Sequence, residues 1–169
     1  MTASATSSFR VHGPDGIVER ATEARAPRRP AAGARTIAAT VPVTQIMSPD
    51  VVCASPDLDL DALVDVMVRG RLGCVPIVDE RGRPLGMVTK LDIVEHLVAP
   101  VARALPLAAD VMMPLAVTLP VTATVAQAAA LMASEYLHHL MIVSEGNLIG
   151  VVSTMDVTRW LADNDGIAA

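Results

Sequence analysis

Two four-residue stretches carry a hydroxyl and a carboxylate at the same spacing: Thr89-Lys90-Leu91-Asp92 and Ser153-Thr154-Met155-Asp156. Each reads first as a helix-capping box, with Thr89 or Ser153 as the N-cap and the Asp three residues on. The same groups also suit a polar ligand. A carboxylate accepts two hydrogen bonds from a vicinal diol, and a hydroxyl beside the free N–H groups of a helix start suits an anion. Capping and ligand binding do not exclude each other. His138-His139 is the next pair able to do chemistry, either by meeting an anion when protonated or as a plain surface pair at a helix end. Neighbours on a strand point to opposite faces, so the two imidazoles do not easily serve one metal. Lys90, the sole lysine, reads either as a solvated helix-start residue or as a group pointing at a phosphate. Cys53 and Cys74 lie among apolar residues without CxxC or His/Cys spacing, which predicts buried free thiols and no metal site. Asp57, Asp59, Asp61 and Asp65 lack the central Gly and closing Glu of a calcium loop and overlap an amphipathic helix. No Walker loop, GxGxxG, HExxH or GxSxG occurs, so no residue is assigned a catalytic role and the chain is expected not to be an enzyme.

The elements that must position these residues repeat. One copy runs from Thr44 and a second from Ala109. At an offset of 65, Met47 matches Met112, Pro49 matches Pro114, Met67 matches Met132, and Ile77-Val78 matches Ile142-Val143. One residue is lost in the second turn, and Gly86 then matches Gly150, Val88 matches Val152, and Asp92 matches Asp156. Each copy reads as strand, helix, strand, strand, helix. The first strands are Val51–Ala54 and Ala116–Leu119. Leu60, Leu63, Val64 and Met67 fall on one helix face, as do Val125, Ala128, Ala129 and Met132. Asp57 or Asp59 is expected to cap the first helix and Gly70 to end it. Thr124 caps the second, with Gln127 completing a capping box. Asp79-Glu80-Arg81-Gly82-Arg83-Pro84 and Glu145-Gly146-Asn147 are hairpin turns.

The expected class is α/β: two tandem βαββα repeats, 41–98 and 109–169, joined by a linker at 99–108 and packed as a pseudo-twofold pair. One unit of this size buries too little surface to stand alone, so the two are expected to fold together. Hydrophobic residues make up 52% of the 169, but only one Trp, one Tyr and one Phe occur, so the core must be aliphatic. Residues 1–40 hold six Arg against Asp15, Glu19 and Glu23, a charge of +3 that leaves −8 on the remainder of a chain with net charge −5. An acidic folded part with few aromatics excludes general binding of nucleic acid. The first 40 residues are expected to form a disordered basic tail. No apolar run approaches a membrane span and no secretory h-region opens the chain, so a cytoplasmic protein without membrane association is expected.

Certain motifs resemble those of a known family, the repeats named after cystathionine β-synthase (CBS). These are Ile46-Met47, Val75-Pro76-Ile77-Val78-Asp79 and Gly86-Met87-Val88-Thr89-Lys90-Leu91-Asp92, with Val111-Met112, Leu140-Met141-Ile142-Val143-Ser144 and Gly150-Val151-Val152-Ser153-Thr154-Met155-Asp156 in the second copy. Met141 and Ser144 depart from the family's Pro and Asp. Two such repeats form a Bateman module, and the resemblance covers about residues 41–162. It implies a regulatory module with a cleft between the repeats, no required cofactor, and an adenine-containing ligand such as AMP, ATP or S-adenosylmethionine. By that resemblance Asp92 and Asp156 would hold ribose hydroxyls, Thr89 and Ser153 would meet phosphate, and His138 or His139 would stand where some members carry a basic phosphate contact. Val51, Val52, Pro76, Ala116, Val117 and Met141 are the candidate walls for adenine. Copy one has Gly73-Cys74 where copy two has the histidines, so the Ser153/Asp156 site is favoured for a phosphorylated ligand. The resemblance also implies a homodimer that regulates a separate enzyme or transporter. The alternative is a ligand-free dimerising scaffold acting on a partner protein.

Overall fold

A computed structural model describes residues 9–12, 17–20, 37–98 and 105–164. Most of the expected tail and linker therefore lies outside the described residues. Within the tail, β1 (Phe9–His12) and β2 (Ile17–Arg20) pair antiparallel, an order that composition did not predict. They belong to a unit of their own, residues 1–34.

From residue 35 onward the two copies fold on one plan. The first holds α1 (Leu60–Gly70), β3 (Cys74–Val78), β4 (Pro84–Thr89) and α2 (Lys90–Val98). A short helix, α3 (Ala108–Val111), follows. The second holds β5 (Thr118–Pro120), α4 (Val125–Glu135), β6 (His139–Ser144), β7 (Asn147–Ser153) and α5 (Thr154–Asn164). β3 pairs antiparallel with β4, and β6 with β7, while β5 lies parallel to β6.

Local chemistry explains most of these elements. Thr124 Oγ1 accepts from the Gln127 amide and the Gln127 side chain accepts from the Thr124 amide, the capping box that opens α4. Asp59 stands at the N-cap of α1, but its side chain makes no capping hydrogen bond, and Leu60 N–H donates instead to the Pro106 carbonyl at 2.9 Å. Gly70 remains helical, and the left-handed closing residue is Arg71 (φ 51°), matched by Tyr136 (φ 56°) after α4. The β6–β7 turn is two residues long, with Glu145 and Gly146 both at positive φ, which suits a tight hairpin.

The strand expected at Val51–Ala54 shrinks to a single parallel bridge between Ala54 and Ile77. Its counterpart β5 is longer, and the reason is two missing N–H groups: Met141 N–H donates to the Val117 carbonyl at 3.4 Å, where the first copy has Pro76, and a second is lost at the other end. Val121 N–H donates to the Val143 carbonyl at 2.9 Å, but the equivalent residue in the first copy is Pro56, which has no N–H to offer.

The two copies exchange their opening segments. Val43 is buried in the second copy's core, with Val43 N–H on the Ala123 carbonyl and Val125 N–H on the Val41 carbonyl. Ala108 is buried in the first copy's core, with Ala108 N–H on the Leu58 carbonyl. Residues 41–48 thus serve the copy they do not precede, as do residues 106–113. The bridges Pro42–Thr124 and Asp59–Leu107 are pseudo-symmetric, as are Ser48–Val151 and Met87–Met113. Gly86 and Gly150 permit the crossing. A Cβ at Gly150 would lie 2.6 Å from Met47 Sδ and 3.2 Å from the Ser48 carbonyl oxygen. One at Gly86 would run into the Met113 backbone carbonyl oxygen. Each copy keeps its own aliphatic core: Leu63, Val75, Ile77 and Val88 in the first, and Val125, Leu140, Ile142 and Val152 in the second. Full burial of side chains this size contributes about 1.5–3 kcal/mol each, and the exchanged segments complete both cores.

Candidate functional site

Both hydroxyl–carboxylate motifs sit where a strand passes directly into a helix, β4 into α2 and β7 into α5. In the first, Asp92 Oδ2 accepts from Thr89 N–H and from Thr89 Oγ1, both at 2.6 Å. In the second, Asp156 Oδ2 accepts from Ser153 N–H at 2.8 Å and Ser153 Oγ at 2.6 Å. The capping chemistry read from spacing is therefore present twice. Each carboxylate spends one oxygen on it and keeps a second, and there the copies part. Asp156 Oδ1 faces Arg159 Nη1 at 3.7 Å. Among the described residues Asp92 Oδ1 has no hydrogen-bond or ion-pair partner.

A cavity of about 390 Å³ opens on the first motif. Thr89, Lys90, Leu91 and Asp92 form one wall, with Met87 and Gly73 beside them. The second copy supplies the other: Val117 just before β5, Tyr136, Leu137 and His138 between α4 and β6, and His139 and Met141 on β6. Met113 and Leu115 complete it. The lining is mostly apolar, with one cationic lysine, one carboxylate and two imidazoles. Such a slot suits a flat, weakly polar ring carrying a few polar groups.

Of the residues singled out from sequence, the fold gathers Thr89, Asp92, His138, His139, Val117 and Met141 around this cavity. Ser153, Asp156, Val51, Val52, Ala116 and Pro76 are not among its walls. Pro76 is fully buried in β3 and Val52 is exposed. The sequence reading joined the histidines to their own copy's motif, Ser153/Asp156. Packing across the pseudo-twofold also brings them to the cavity at the first copy's motif, while His139 stays paired with Ser153 on β7. Lys90 is exposed, as a solvated helix-start residue would be, and also lines the cavity. Tyr136 escaped the sequence reading altogether. It is 89% exposed at the cavity mouth, and its only signal was being the sole tyrosine, two residues before the histidine pair.

His139 shows how closely the copies meet. Its Nε2 lies 3.0 Å from where a Cβ at position 73 would stand, so the imidazole fits because residue 73 is glycine. The ring is half-buried. That burial, with His138 and Lys90 nearby, holds its pKa below the usual histidine value, and Asp156 opposes them only partly. His139 is therefore a neutral imidazole at neutral pH. Cys74 is half-buried and its thiol is pushed up to about 12 by burial, which makes it inert. Cys53 is exposed, contrary to the expectation of two buried thiols, and the strand expected to include it does not form. Among the described residues no group of His, Cys, Asp and Glu could hold a metal ion.

Comparison with known proteins agrees with this architecture. The CBS domain family model matches residues 43–99 and 108–163. Uncharacterized protein MJ1404 of Methanocaldococcus jannaschii is 26% identical over 135 residues, covering 72% of this chain, and the chain spans only 32% of that relative. Among solved structures, the CBS domain pair of protein MJ0100, in complex with 5-methylthioadenosine and S-adenosyl-L-methionine, superposes with a TM-score of 0.66 at 20% identity, covering 73% of this chain and 97% of that one. CBSX2 in complex with AMP gives a TM-score of 0.67 at 18% identity, covering 73% and 98%. At these identities the structures speak to the fold. With two matched repeats covering most of its length, and the paired α/β architecture to go with them, the chain belongs to the CBS domain family.

Proposed function

We propose that this CBS pair is a non-catalytic regulatory module that senses an adenosine-containing ligand in the cavity between its repeats. The observation that carries the reading is the convergence of Thr89, Lys90 and Asp92 from one copy on His138, Val117 and Met141 from the other. A volume of about 390 Å³ lies within the usual range for small-molecule sites. In this reading the second oxygen of Asp92 accepts from the ribose hydroxyls. Thr89, Lys90 and the histidines face the phosphate end, and Met87, Met113, Val117 and Met141 flank the base. The ligands named for MJ0100 and CBSX2 share the adenosine group this arrangement suits. Asp156, already facing Arg159, is assigned the structural role, with Ser153, Ala116, Val51, Val52 and Pro76 forming the weaker counterpart site.

The module acts in the cytoplasm and signals to a separate enzyme or transporter in this reading. No helix among the described residues is long and apolar enough to cross a membrane. A homodimer is the proposed state, because α2 buries none of its residues and leaves Leu91, Val94, Leu97 and Val98 each more than half exposed. Contiguous apolar surface of that kind favours a second copy. It also keeps the scaffold alternative in play, since such a face can serve a partner with no ligand bound.

The test is thermal denaturation with AMP, ATP and S-adenosylmethionine at millimolar concentration. A ligand that binds only the native state raises the midpoint as its concentration exceeds Kd. An upward, saturable shift with at least one of the three is expected. Unchanged midpoints for all three, in protein shown to be folded, would leave the scaffold reading standing.

A further inference from the structure

We infer that His139 is a proton-linked relay between the two motifs: an anionic ligand entering the cavity draws a proton onto this imidazole, which then pairs with Asp156. The inference rests on the cavity of the first motif being the ligand site and adds how occupancy there reaches the second motif.

Position argues for it first. His139 opens β6 and is in register with Ser153 on β7, so it belongs to the second copy's motif by strand pairing. Its ring lies against Gly73 of the first copy and forms part of the cavity wall with Thr89, Lys90 and Asp92. No side chain at Gly73 separates the ring from the first copy. Its counterpart in the first copy, by the 65-residue offset, is Cys74, whose thiol, pushed up to about 12, takes no part near neutrality.

Charge argues for it second. The charged groups that bear on the ring are the neighbouring His138, Asp156 from α5 and Lys90 from α2, with Arg159 in turn 3.7 Å from Asp156 and Asp92 on the shared cavity wall. In the free protein, burial, Lys90 and His138 outweigh Asp156, and the ring is neutral. A phosphate group in the cavity brings close to two negative charges near neutral pH. That charge, in the cavity whose wall the ring forms, adds to Asp156 in favouring the imidazolium against burial and His138. Linkage makes the effect reciprocal: whatever factor the anion adds to proton affinity, the proton adds to anion affinity. The charged ring then competes with Arg159 for the Asp156 carboxylate, which is the physical message delivered to the second motif.

The probe is AMP, titrated calorimetrically near pH 7 in buffers of different ionisation enthalpy, into the full chain and into His139→Gln. Net proton uptake in the wild type, exceeding that of the variant by a fraction of one proton, is the expected result. In the wild type affinity should also fall as pH rises from 6.5 to 8, by no more than about tenfold per unit, and more steeply than in the variant. NMR titration of the His139 ring with and without AMP gives the same answer without a substitution, as a rise in its pKa on saturation. Equal proton uptake in both proteins with binding intact, or a ring pKa indifferent to AMP, would overturn the relay and leave the ligand site standing. Absence of AMP binding to the wild type would overturn the relay, and absence of ATP and S-adenosylmethionine binding as well would overturn the ligand site with it.

Discussion

The two motifs share a spacing, a fold position and a pair of hydrogen bonds, yet differ in what surrounds them. Around Thr89 and Asp92 lie a cavity, Lys90 and two histidines from the other copy. Around Ser153 and Asp156 the second carboxylate oxygen is engaged by Arg159. A duplicated motif therefore keeps its local job, helix capping, in both copies. In the proposed reading its ligand chemistry depends on what the opposite copy supplies, and Gly73-Cys74 in one copy is not equivalent to His138-His139 in the other.

The exchange of opening segments offers the sharpest way to break this symmetry. Gly86→Ala would set a Cβ against the Met113 backbone, which cannot swing away, and should destabilise the fold by ~3 kcal/mol or more. Gly150→Ala meets chiefly the flexible Met47 side chain and should cost only ~1–2 kcal/mol. Denaturant midpoints of the two variants decide it, and equal losses would show the crossings to be equally rigid. Val43→Ala comes next. Though it opens the first copy's sequence, it is fully buried in the second copy's core, and about 2 kcal/mol should be lost. Hydrogen exchange in that variant should rise first in α4 and β6, not in α1 and β3.

The caps give a smaller effect and a control. Asp92→Ala and Asp156→Ala each remove one cap, and each should cost about 1 kcal/mol of stability in the free protein. Near equality is the point, since the exposed Arg159 pair contributes little. Acidification gives the smallest effect. The folded-state pKa of His139 is depressed, so its neutral form is favoured by folding. Stability is full above the unfolded value of 6.5 and declines as pH falls from there through the folded pKa. Thermal midpoints should drop over that window in the wild type and less in His139→Gln.

The repeat, the helix faces, both hairpins and both capping boxes were legible in the sequence because they rest on periodicity and on contacts within a few residues. What escaped rests on contacts between distant segments. No local signal shows that Val43 belongs under α4, or that Ala108 belongs beside α1. The first strand of copy one fails for want of N–H groups at Pro56 and Pro76, a difference visible only once β5 is seen to be held by the Val121 and Met141 N–H groups. The site was half legible for the same reason. Thr89, Asp92, Val117, Met141 and the histidine pair, singled out in the sequence, line one cavity, but that the histidines reach the first copy's motif is decided by packing across the pseudo-twofold. Tyr136 owes its place to the left-handed turn after α4, and Lys90 to the passage from β4 into α2.

The central claim is that the ligand sits at the first motif and not the second. Calorimetric titration of AMP into the wild type, Asp92→Ala and Asp156→Ala tests it most directly. Loss of a hydrogen-bonding charged group should weaken binding by roughly 10- to 100-fold in Asp92→Ala. Asp156→Ala, altered only through His139, should stay within about threefold, under 1 kcal/mol. The reverse order, or an equal loss in both, would contradict the account and return the ligand to the second motif or to both.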